Sequence, residues 1–178
     1  MSLVRPRYSL IERLVVELLK QNHITEPEVP IEKIAERGGI NIVFDDLADI
    51  SGMVVRKDNA VTIAVNNTQN KRRQRFTLAH ELGHSLLHEG TPVRFDRDFR
   101  VNLRSDRSSL AVDPEEIEAN FFAANLLMPR EMLIRDLGGN YIDLDDARAT
   151  RSWARRYGVS MQAMNLRLVK LFGHDLLA

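Results

Sequence analysis

The chain has 178 residues, 44% of them apolar and 28% charged, an ordinary composition for one soluble globular domain or a domain with a small appendage. Lys plus Arg and Asp plus Glu both number 25, so no net charge draws the chain to nucleic acid or to an anionic membrane. It has no cysteine, which excludes disulfides, thiolate metal sites and cysteine nucleophiles and suits a reducing cytoplasm. Residues 1–8 lack the apolar core of a signal peptide, and no run approaches the roughly eighteen apolar residues that a membrane helix needs.

Residues 9–21 read as an amphipathic helix, with Leu10, Leu14, Val15, Leu18 and Leu19 at helical spacing. Residues 31–37 make a second short helix, stopped by Gly38 and Gly39. Residues 40–44 look like a strand. Residues 51–56 and 60–65 flank the turn sequence Lys57-Asp58-Asn59 and form a predicted hairpin. The pattern is helical from about 69 to 88 and ends at Gly90 and Pro92.

Residues 91–112 are polar and weakly periodic, rich in Arg, Asp and Ser. They read as a long, mobile surface loop whose Arg94, Arg97, Arg100, Arg104 and Arg107 govern access to what lies beside it. Asp113 is a good N-cap and Pro114 a good first residue for a helix reaching Pro129. Helices over 130–137, 145–157 and 160–172 complete the chain.

His80-Glu81-Leu82-Gly83-His84 sits in the middle of the 69–88 helix. Residues four apart lie about 6 Å apart along a helix and about 40° around it, so both imidazoles reach one ion from the same face. Glu81 is then placed beside the ion, where a general base for a bound water belongs. This is the zincin pattern, and Zn²⁺ is the expected metal. The neighbours Phe76, Leu78, Ala79, Leu82, Leu86 and Leu87 bury that helix, and buried polar groups need partners.

A catalytic zinc takes a third protein ligand. His88 lies one turn too far along the same helix to close a tetrahedron. Downstream, Glu116, Ala119, Asn120 and Ala123 share one helical face, and the two alanines leave room for the metal helix. Glu116 is therefore the expected third ligand and Asn120 a supporting hydrogen-bond partner. Glu118, on another face with Phe121, Phe122 and Asn125, is the alternative third ligand. For transition-state stabilisation only His88 and Tyr141 offer themselves.

The stretch Arg75-Phe76-Thr77-Leu78-Ala79-His80-Glu81-Leu82-Gly83-His84 with Leu86-Leu87-His88, followed by Glu116-Ile117-Glu118-Ala119-Asn120 and Leu126-Leu127-Met128-Pro129, resembles the ImmA/IrrE family of bacterial metallopeptidases. The resemblance runs over roughly residues 9–170. It implies two His and one Glu as ligands, the motif Glu as base, and cleavage of a helix-turn-helix repressor or antitoxin-type partner encoded nearby.

The expected fold is α+β and zincin-like, a single domain over 1–178. Its core spans about 9–137, with a small mixed or antiparallel sheet packed on the metal helix, and a helical C-terminal extension covers about 140–178. An extended substrate would pair with an exposed sheet edge, the run 60–65. Tyr157-Gly158-Val159-Ser160 with Arg151, Arg155, Arg156 and Arg167 has the look of a helix-turn-helix. Two packed helices completing the fold are the preferred reading, and direct nucleic-acid binding is not expected. Lys71-Arg72-Arg73 and Arg75 read as a solvated basic face. A rival reading of the whole chain is a non-catalytic regulator that binds a repressor or nucleic acid with the same fold.

Overall fold

A computed structural model of the chain describes residues 5–88, 92–97, 113–138 and 146–173. Its elements are α1 (Tyr8–Gln21), α2 (Ile31–Arg37), β1 (Ile40–Asp45), β2 (Ile50–Lys57), β3 (Ala60–Asn66), α3 (Lys71–Leu87), β4 (Val93–Arg97), α4 (Pro114–Leu127), α5 (Arg130–Leu137), α6 (Ala147–Arg156) and α7 (Met161–Phe172). The architecture is α+β, with helices around a small mixed sheet in the order β1-β3-β2-β4. β1 runs parallel to β3, while β2 is antiparallel to both β3 and β4.

Local chemistry accounts for most boundaries. Asp58 and Asn59 both take positive φ, 51° and 62°, in the two-residue turn that pairs Lys57 with Ala60. Asn and Asp tolerate that conformation, and its twist suits a hairpin. Asn70 caps α3 by accepting from the Arg73 amide, and Asp113 caps α4 by accepting from the Glu115 amide ahead of Pro114. Gly138, at φ 59°, ends α5 in the left-handed conformation.

The core lies between the inner face of the sheet and the helices. Val54, Ile63 and Val65 from the sheet meet Leu78, Ala79 and Leu82 of α3 and Phe122, Leu126 and Leu127 of α4, all of them buried. Ile11, Val15 and Leu19 form the buried stripe of α1. A side chain at Gly83 of α3 would lie 3.2 Å from the Ala119 Cα and 3.0 Å from the Phe122 ring, so the glycine sets how closely α3 and α4 approach.

Two expectations are corrected. Residues 60–65 are not an exposed edge, because β3 lies between β1 and β2. A strand in the middle of a sheet has its backbone groups paired on both sides. Within the expected loop over 91–112, Val93–Arg97 is an edge strand on β2, with Val54 opposite Arg94 and Val55 opposite Val93. Its weak apolar periodicity concealed it, since an edge strand needs only one partner. Residues 98–112 and Tyr141 lie outside the described residues.

The C-terminal helices pack onto the rest. Tyr157, Val159, Met164 and Leu168 join the same apolar cluster. The Tyr157 hydroxyl donates to Asp136 at 2.8 Å. Arg156 pairs with Asp136 at 2.7 Å, and buried Arg167 donates to the Met128 carbonyl and to Asn125. Of the four arginines that lent the tail its basic look, Arg167 is thus buried and Arg156 is held in a surface ion pair. No helix among the described residues is long and apolar enough to cross a membrane. Tyr157→Phe, which removes only the hydroxyl, is expected to lower stability by about 1 kcal/mol in chemical denaturation.

Candidate metal centre

His80, Glu81 and His84 are all essentially without solvent exposure in the middle of α3. The Nε2 atoms of His80 and His84 lie 2.9 Å apart. One oxygen of Glu116 stands 3.3 Å from the His80 Nε2 and the other 3.3 Å from the His84 Nε2. These three residues form the one group among the described residues whose ligand atoms all come within 4.8 Å of one another. Ligand bonds of about 2.0–2.1 Å to a tetrahedral ion imply edges near ~3.3 Å, which the two Glu116 contacts match while the His80–His84 edge is shorter at 2.9 Å. The Glu116 side chain remains 32% exposed while the imidazoles are sealed, so the cluster opens to solvent on its α4 side.

The outer edges of the two rings determine what the inner edges present. His80 Nδ1 lies 3.1 Å from the side-chain oxygen of Asn120, which only accepts, so Nδ1 carries the proton. His84 Nδ1 meets His88 Nδ1 at 3.0 Å, and His88 Nε2 meets a Glu118 oxygen at 3.0 Å. The carboxylate accepts from His88 Nε2, which leaves His88 Nδ1 to accept from His84. Both inner Nε2 atoms are therefore lone pairs, facing each other and a carboxylate.

Such a space calls for a cation. Burial pushes His84 down from 6.5 to about 4, with the neighbouring His80 adding to the effect against the pull of Glu116, so His84 gains no second proton at neutral pH. The donor set, two neutral imidazoles and a carboxylate, fits a divalent metal.

Burial alone would raise Glu116, yet the facing ring nitrogens of His80 and His84, wherever one carries a proton, and Arg94 outweigh it and hold the carboxyl well below the usual range. Arg94 reaches across from β4, with one nitrogen 2.6 Å from Glu116 and another on Glu115. It ties the edge strand to the start of α4.

Glu118 is not part of the ligand cluster. Its buried carboxylate takes the backbone amide of Arg7 at 2.7 Å and the Arg7 guanidinium at 2.6 Å, besides His88. His88 sits behind His84, on the ring edge away from the cluster. Glu81 packs against β2: a side chain on Gly52 would come within 3.0 Å of a Glu81 oxygen and 2.4 Å of the Thr77 methyl. Arg7 and Gly52 escaped the sequence reading, and Arg94 entered it only as one of the loop arginines set to govern access. A glycine within a β-rich run is a signal of close approach, and Gly52 carried it. Arg7 and Arg94 had no local mark.

Known proteins resemble this chain over most of its length. The family Peptidase_M78, described as the IrrE N-terminal-like domain, matches residues 35–169. Immunity region protein 2 of Bacillus phage phi105 is 29% identical over 80% of this chain and 82% of its own length. Two proteins of Bacillus subtilis strain 168 are also similar. The phage-like element PBSX protein XkdA is 27% identical over 71% of this chain, and the metallopeptidase ImmA is 28% identical over 58%. The matches span 57% and 56% of those two proteins, so the chain corresponds to little more than half of each. A solved structure of a Mycobacterium tuberculosis transcriptional regulator shares the fold with a TM-score of 0.57 at 17% identity, over 90% of this chain and 46% of that one.

The ion pair between half-exposed Arg7 and buried Glu118 gives a pH test. Hydrogen bonds from Arg7 hold Glu118 at about 2, below its ordinary 4.5. A carboxylate depressed on folding stabilises fully above its unfolded value, and that contribution is lost as pH falls through the folded one. In metal-free protein, the stability difference between wild type and Glu118→Gln is expected to shrink from about pH 4.5 toward pH 2. Urea denaturation across that range measures it, and a constant difference would count against the assignment.

Proposed function

Because the chain belongs to the IrrE N-terminal-like peptidase family, we propose that it is a zinc-dependent endopeptidase, with His80, His84 and Glu116 as ligands and Glu81 as general base. The observation that carries this reading is the meeting of two buried imidazole lone pairs and a carboxylate at ligand spacing.

Bound there, zinc supplies a Lewis acid that polarises a scissile carbonyl and acidifies water. The chain's residues do the rest. Glu81 takes a proton from the attacking water and hands it to the leaving amine. Asn120 and His88 hold the imidazoles with their Nε2 atoms inward. Arg94 holds Glu116 as an anion. An extended substrate pairs with the outer edge of β4, whose Arg94 reaches the ligand carboxylate, and so lies alongside the cluster.

The substrate we propose is a helix-turn-helix repressor or antitoxin-type protein in the cytoplasm, encoded near this chain. The similar phage immunity region protein, the ImmA metallopeptidase and the transcriptional regulator of like fold support this choice. Intact His80, Glu81 and His84 weigh against a regulator that has lost its chemistry.

Elemental analysis is expected to find about one zinc per chain in wild type and far less in His84→Ala and Glu116→Gln, with Glu118→Gln retaining more than Glu116→Gln. Equal zinc in wild type and His84→Ala would sink the assignment. Glu81→Gln is expected to keep its zinc and lose about 10²–10⁴-fold in cleavage of a co-incubated repressor, read on a gel. Gly52→Ala, which crowds Glu81, is expected to lose cleavage while zinc content holds. If Glu81→Gln cleaves at the wild-type rate, another group is the base.

A further inference from the structure

We infer that His88 and Glu118, anchored by Arg7, are positioning residues that fix the orientation and tautomer of His84 and thereby set how tightly the centre holds its metal. The inference rests on the reading of His84 as a metal ligand and extends it to three residues that do not touch the metal.

The chain of contacts is continuous. Arg7, just ahead of α1, grips Glu118 of α4 through its backbone amide, its Nε and its Nη2, at 2.7, 3.0 and 2.6 Å. Glu118 accepts from His88 Nε2 at 3.0 Å, and His88 Nδ1 faces His84 Nδ1 at 3.0 Å. The His84 Nε2 at the far side of the ring belongs to the ligand cluster. The backbone of this corner is held as well. Arg56 of β2 donates to the carbonyls of His84 and His88, and Arg7 donates to that of Leu87. These are carbonyls at the open end of α3, which need donors.

Packing alone does not explain such a network. Glu118 is 3% exposed and His88 8% exposed. Burying a carboxylate and an imidazole costs more than filling the same space with apolar side chains, so their presence points to what they do to His84. The two ligand rings are also treated differently. His80 is oriented by a neutral amide, whereas His84 is oriented by a chain that ends in a carboxylate. A histidine ligand whose outer N–H is bonded toward a carboxylate is both fixed in its tautomer and made a better donor.

The test separates a hydrogen-bond role from a packing role by zinc affinity, measured with zinc alone in competition with a chromophoric chelator. His88→Phe keeps a ring of similar shape and removes the acceptor. His88→Asn gives up the ring and keeps an oxygen near the position of Nδ1. We expect His88→Phe to bind zinc about 10–100-fold more weakly, and His88→Asn, which keeps an acceptor for His84 but loses the link to Glu118, to fall between it and wild type. A packing role predicts the reverse order, and that order, or equal affinity in all three proteins, overturns the inference. Arg7→Met changes a half-exposed side chain and serves if the buried Phe is not tolerated. Weakened zinc binding in Arg7→Met supports the relay, and unchanged binding overturns it. Failure of wild type to bind zinc would instead strike the proposed function.

Discussion

Three electron-rich groups share one small space in this protein, and their mutual repulsion is the constraint on which the rest of the structure depends. Two imidazole nitrogens 2.9 Å apart, both presenting lone pairs, with a carboxylate beside them, make an arrangement that a bound cation would stabilise. Every surrounding element keeps those groups from turning away. α3 supplies both rings from one face, Gly83 lets α4 come close enough for Glu116 to arrive, and Asn120 and His88 prevent the rings from reversing. The sheet closes the third side, with Gly52 leaving space for Glu81.

The divided use of Glu116 and Glu118 shows how helical phase assigns chemistry. They are two residues apart on α4, about 200° around the helix, so they face different neighbours. Glu116 meets the ring nitrogens and Arg94, while Glu118 meets His88 and Arg7. Glu118 is drawn below its usual range chiefly by Arg7, and Glu116 by the two facing histidines together with Arg94. One helix thus serves the centre from two directions.

How much of this could be read from the sequence follows the range of the interactions. The α3 motif, the helix limits and the hairpin turn are set by residues within one or two turns of each other, and periodicity with turn chemistry locates them. The α+β class and the family resemblance were likewise legible. Helical facing favoured Glu116 over Glu118, and the geometry groups Glu116 with His80 and His84. What escaped depends on contacts between distant segments. The parallel pairing of β1 with β3 moved β3 from edge to centre. The β4 strand is a strand only because β2 lies beside it. Arg7 and Arg94 resemble any surface arginine until the fold places an acid opposite each.

The contact between Arg7 and Glu118 spans 111 positions of sequence. A chain synthesised from its N-terminus exposes α1, the sheet and the His80–His84 pair well before α4 emerges. During that interval the two imidazoles lack the carboxylate of Glu116 that completes their cluster. The full ligand set, and the brace behind it, exist only once the two ends of the core have met. Maturation of the centre is therefore coupled to completion of the chain, so the nascent polypeptide holds no finished centre while it is still being made.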